Sequence, residues 1–115
     1  TENKNFLKFL DIIKDDIDFY LDKEKYKLID AWGNIYNQGD YAESHNHRRV
    51  TGFSGILYCS DEGPGTSFRD MGFHCPDKKG RYILFKPWMY HNVRKFNYKK
   101  ERITIAFNNQ DLTNK

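Results

Sequence analysis

The sequence predicts a mainly β fold of the antiparallel sandwich or jelly-roll kind, with one helix packed on the sheet. Three observations lead there. An apolar stripe at helical spacing occurs once, near the start. Runs rich in β-branched and aromatic residues then recur from residue 26 to residue 109. Short clusters of Gly, Pro, Asn and Asp separate those runs, at the spacing of turns rather than of linkers. One helix followed by about seven short strands belongs to a single domain, 1–115, with the helix at 5–22 and the β core at 26–109.

The helix is read from Phe6, Phe9, Leu10, Ile13, Ile17 and Leu21, which recur at three- and four-residue steps with Lys and Asp between them. Its acidic polar face suits water and its oily stripe suits a sheet. Residues 26–37 then look extended, and Gln38-Gly39-Asp40 is a turn. Residues 49–59 form a second extended run, and 61–65, DEGPG, a loop. Residues 66–74 and 81–86 are shorter strands separated by Pro76 to Gly80. Residues 91–97 and 102–109 are expected to form a hairpin around Asn97 to Lys100.

In the last strand Ile103, Ile105 and Phe107 point one way. Arg102, Thr104, Ala106 and Asn108 point the other. Periodicity leaves two options open. Either the oily face fills the only core and Arg102 meets water, or the oily face meets the helix and Arg102 looks inward.

Composition bounds the function. Apolar residues are 38% of the chain, but aromatics are 17%, and nine Phe, eight Tyr and two Trp fill a core by volume. Charges of both signs are interspersed, which argues against disorder. A net charge of +3 is too small to argue for nucleic acid. The basic clusters His45 to Arg49 and Arg94 to Arg102 read as solvated turns or as a positive rim around an anion pocket. Two cysteines, Cys59 and Cys75, lack a CxxC spacing and suit free thiols in a reducing, cytoplasmic setting. His74-Cys75 beside Cys59 would be half a zinc site with no fourth ligand in view. No signal peptide and no membrane-spanning run is visible, and a start at Thr1 rather than Met fits removal of an upstream segment.

Three of the four histidines are placed for a metal. His45 and His47 are two apart, so on an extended strand both imidazoles reach one side. His91 follows Lys86-Pro87-Trp88, where another strand begins. Two ligands from one strand and one from a distant strand would occupy one face of an ion and leave the other face open. Glu43, again two residues away, is an alternative carboxylate ligand, and Asp40 a weaker one. Arg102 facing a pocket would need an anion, which its fork can grip. Thr104 on the same face and Tyr58 in the strand after the HxH would add hydroxyls. Trp88, Tyr90 and Tyr41 are further candidates for the pocket lining or for the core.

Taken together, these residues resemble the iron(II)- and 2-oxoglutarate-dependent oxygenase superfamily, in a prolyl-hydroxylase-like branch with an HxH…H motif. Four blocks in order carry the resemblance: Trp32-Gly-Asn34-Ile-Tyr36 with Gly39-Asp40-Tyr41; His45-Asn-His47 with Ser54-Gly55-Ile-Leu-Tyr58; Leu84-Phe85-Lys-Pro87-Trp88-Met-Tyr-His91-Asn-Val93; and Arg102-Ile-Thr104-Ile-Ala106-Phe107-Asn108. The resemblance implies a double-stranded β-helix, cupin-like, with Fe(II) on His45, His47 and His91. It makes Arg102 the partner of the far carboxylate of 2-oxoglutarate, with Thr104 beside it and Tyr58 and Asn34 lining the pocket. It also turns the Arg102 face inward and implies a hydroxylase acting on a small-molecule or peptide substrate. Most of that superfamily has a carboxylate where this chain has His47, which leaves the metal one unit more positive.

Rival readings are a three-histidine cupin-type dioxygenase that uses no 2-oxoglutarate, and a non-catalytic metal-binding β-sandwich module. A nucleic-acid demethylase ranks below both, because no base-reading element is identifiable.

Overall fold

The computed structural model describes residues 26–49 and 52–112, together with Asp11 and Asp15. Apart from those two exposed aspartates, the helix expected over 5–22 lies outside the described residues. Eight strands follow in chain order: β1 Tyr26–Tyr36, β2 Ala42–His45, β3 Phe53–Tyr58, β4 Thr66–Phe68, β5 Phe73–Cys75, β6 Tyr82–Phe85, β7 His91–Val93 and β8 Arg102–Asp111. They form two four-stranded antiparallel sheets, β1-β8-β3-β6 and β2-β7-β4-β5. The pairing is nested: first with last, second with seventh, third with sixth, fourth with fifth.

The chain therefore changes sheet between β6, β7 and β8, and the expected 91–97/102–109 hairpin is not formed. β7 lies between β2 and β4, while β8 lies between β1 and β3. The turn signal at Asn97 to Lys100 marks a reversal of the chain but not its partners. β8 pairs with β1 from Tyr26↔Asp111 to Tyr36↔Arg102, and so satisfies many more main-chain groups than three-residue β7 could offer. The single run expected at 66–74 is likewise two strands. Arg69–Met71 makes a 3-10 turn, and Gly72, left-handed at φ 63°, folds β5 back on β4. β1 and the turn after it agree with the sequence reading: Asp40 N donates to Asn37 O, and Asn37 N to Asp40 Oδ2.

The two faces of β8 settle the orientation the periodicity left open. Arg102, Thr104, Ala106 and Asn108 are buried, whereas Ile103 is 37% exposed. Their face looks into the space between the sheets. On the opposite face Phe107 packs with Leu28, Ala31, Tyr82 and Leu84. Gly55, its cross-strand partner, has no Cβ because the Phe107 ring occupies that space. Among the described residues no helix is long and apolar enough to cross a membrane.

Candidate metal centre and pocket

His45 ends β2 and His91 begins β7, and the two are register partners across the ladder. His47 lies just beyond β2, held there by its own N–H, which donates to Pro87 O at 2.7 Å. Pairing and loop anchor thus bring His91 to the neighbouring His45 and His47 at one end of the space between the sheets. Their ring centroids are 4.3 Å (His45–His91), 5.1 Å (His47–His91) and 5.5 Å (His45–His47) apart. One nitrogen of each lies within 4.8 Å of the others. Among the described residues this is the only group of three potential metal ligands.

Each ring is oriented through Nδ1. His45 Nδ1–H donates to Glu43 O at 2.7 Å, and His91 Nδ1–H to Met89 O at 3.2 Å. His47 Nδ1–H donates to Asn108 Oδ1 at 3.1 Å, with Ser54 Oγ 3.0 Å away. Ser54 Oγ also donates to Asn108 Oδ1, and Asn108 Nδ2 donates to Asp30 Oδ1 at 2.9 Å. With the Nδ1 proton fixed in all three rings, every Nε2 keeps its lone pair for a cation. Imidazoles without a carboxylate suit iron, zinc, copper or nickel.

Glu43 gives this cluster only its main-chain carbonyl. A register irregularity between Ala42 and His45 breaks the simple alternation, and the Glu43 side chain is exposed. Asp40 is spent on the turn. His74 and Cys75 do not join a metal group: His74 Nδ1 stands 2.9 Å from Ser67 Oγ, and Cys75 Sγ points to Pro76 O.

Burial holds His91 neutral. Removed from water, with the charges of His45 and His47 adding to the effect, its pKa falls from 6.5 to about 4. Between those values the unfolded chain binds a proton that the folded one refuses. Stability present above pH 6.5 is therefore lost as pH falls toward 4, by about 3 kcal/mol for the metal-free protein. Urea unfolding at pH 7 and pH 4.5 should show that loss, and His91→Asn should remove most of the pH dependence. An equal slope in both proteins would mean that other groups cause it.

From the histidines a cavity of about 200 Å³ runs between the sheets to Arg102 and Thr104, past Trp32, Asn34 and Tyr36. Phe68 and Phe85 wall the metal end, their centroids 5.6 and 4.8 Å from that of His91. Thr104 and Asn34 line the cavity. Tyr58 stands behind the wall: its hydroxyl donates to Thr66 Oγ1 at 2.7 Å, and Thr66 lines the cavity in its place. Burial raises the Tyr58 phenol well above its ordinary value, so it stays protonated as a donor. Trp88, Tyr90 and Tyr41 are exposed and belong neither to this cavity nor to the core.

Arg102 is 1% exposed and lies over the Tyr36 ring, 4.7 Å from its centroid. Its fork is engaged by a residue the sequence reading missed. Nε donates to Asp77 Oδ2 at 2.7 Å and Nη2 to Asp77 Oδ1 at 2.9 Å. Nη2 also approaches Gly65 O at 3.4 Å, while Nη1 is buried with no partner among the described residues. Asp77 comes from the loop between β5 and β6, where the sequence shows only an ordinary Pro-Asp-Lys turn.

No family model matches the sequence, and no curated protein does. Among solved structures the chain is similar to a truncated form of a viral collagen prolyl hydroxylase from Paramecium bursaria Chlorella virus-1. The TM-score is 0.76 and the identity 17%, over 96% of this chain and 70% of that one. The chain is thus mainly β, in two antiparallel sheets, with a fold similar to that of a prolyl hydroxylase.

Proposed function

We propose that this chain is a one-domain double-stranded β-helix and an Fe(II)- and 2-oxoglutarate-dependent oxygenase. His45, His47 and His91 would hold the metal, and Arg102, through Nη1 alone, with Thr104 would meet the far carboxylate of the cosubstrate. The observation that carries the reading is one cavity with three oriented imidazoles at one end and a buried arginine with an unpartnered N–H group at the other. The likeness in fold to a hydroxylase supports it. A small molecule or a peptide side chain is the substrate class proposed.

When bound, iron and 2-oxoglutarate supply the oxygen-activating chemistry, which no side chain can provide. The chain's own residues do the rest. Glu43 O, Met89 O and Asn108 Oδ1 keep the three imidazoles in the ligating tautomer. Phe68 and Phe85 exclude water from the side of His91. Thr104, two residues from Arg102 on the same face of β8, adds a hydroxyl to the anion end.

Anaerobic addition of Fe(II), then of 2-oxoglutarate, followed by visible absorption, tests this. A weak charge-transfer band is expected only when both are present. Iron uptake without a response to 2-oxoglutarate would favour a three-histidine dioxygenase acting directly on its substrate. Absence of iron uptake would overturn the proposal.

A further inference from the structure

An arginine at the end of a pocket ordinarily offers a ligand two things: a full positive charge and a fork that takes a carboxylate through two parallel bonds. Arg102 has given both to Asp77. The ion pair is 1% exposed on each side, and Asp77 holds the Nε–Nη2 edge with two short bonds. The loops close tightly on the pair. A Cβ at Gly63 would collide with Asp77 Oδ2 and crowd Arg102 Cδ, so glycine is what lets the β3–β4 loop pass. Gly65 O, in the same loop, takes a weaker contact from Nη2. Among the described residues Nη1 is the only corner of the guanidinium left wholly without a partner.

We infer that Asp77 is a specificity-determining positioning residue. It fixes the Arg102 guanidinium, leaves Nη1 as the one contact for a ligand, and cancels the charge that would otherwise select a carboxylate. The inference rests on the proposed function for the identity of the ligand. A carboxylate entering the cavity meets an arginine already neutralised at close range, with a second carboxylate nearby. Its far charge therefore contributes little, and the ligand is held chiefly at its metal end and by the shape of the cavity. The pocket accepts oxo acids with and without a far carboxylate at similar strength. Removing the Asp77 charge turns it into a selector of dicarboxylates.

The test compares wild type with Asp77→Asn, which keeps the shape and removes the charge. Each is loaded with Mn(II) under argon and titrated calorimetrically with 2-oxoglutarate and with 2-oxopentanoate, the same chain ending in a methyl group. Wild type should prefer 2-oxoglutarate by about tenfold or less, and Asp77→Asn should widen that preference by at least about tenfold. Glutarate, which has no keto group for a metal, is titrated against the metal-free proteins and should also bind more tightly to the variant. Metal content is measured on the same samples. Failure to take up metal sinks the proposed function, while a glutarate gain in Asp77→Asn upholds the inference regardless. Should the variant not fold, the wild-type ratio decides: about tenfold or less supports the inference, and anything greater overturns it. No gain for either dicarboxylate in a folded variant, or no binding of any of the three acids, overturns it as well.

Discussion

His91→Ala should lower metal affinity by more than about 100-fold. Groups that merely orient a ligand are worth about 10- to 100-fold, so removing the ligand itself must cost more. Of the three histidines, His91 is the one whose loss no neighbour can repair. It is 4% exposed, enclosed by Phe68 and Phe85, and already neutral, so it offers a lone pair without a proton to displace. Asn108→Ala tests the orienting network separately. It removes the acceptor that fixes the His47 proton and the link to Asp30, and it should cost about 10- to 100-fold with all three ligands still present. His74→Ala is the control, because His74 faces Ser67 in the β4–β5 hairpin and should leave metal binding unchanged. Equilibrium dialysis against Mn(II) or anaerobic Fe(II) gives all three values. Wild-type affinity in His91→Ala would mean that the histidines are not a metal centre.

How far these residues could be read from the sequence depended on whether the signal was local. The pair His45 and His47 is local: two residues apart on extended chain is a geometric statement in itself. His91 is a candidate from its place at the start of a distant strand, but the inward face of Arg102 is legible only through the resemblance of the four blocks, because neither spacing nor alternation says which strand lies opposite. The same limit explains the errors in the fold. The stretch 91–109 reads as a hairpin because a turn signal carries no record of pairing, and the nested order is fixed by long-range ladders such as β1 with β8. Asp77 was invisible for the same reason. A Pro-Asp-Lys turn is common, and the arginine that gives this one its meaning lies 25 residues away. Ser54, Asn108 and Asp30 were missed as an orienting network because each is an ordinary strand residue on its own. Their connection spans up to 78 residues of chain.

Arg102→Met should destabilise the protein by about 3–5 kcal/mol, the range for breaking a buried ion pair from one side. The lost attraction is only part of this. Asp77 remains in a loop that leaves its side chain 1% exposed, with two bonds gone and no water to replace them. The Tyr36 ring loses the cation over its face as well. If that account holds, removing the second charge should restore most of the loss, since a buried pair gains little net stability over apolar residues of similar volume. The double variant Arg102→Met with Asp77→Leu should therefore unfold in urea close to wild type, and the double-mutant cycle should give a coupling of several kcal/mol. Metal binding should survive in the double variant, because the histidines draw their orientation from Glu43, Met89 and Asn108 at the other end of the cavity. A cost below about 1 kcal/mol in the single variant would show Asp77 rehydrating freely, as a surface pair does. In that event the loop from Pro76 to Gly80 opens in solution, and Arg102 meets the cavity with its whole fork.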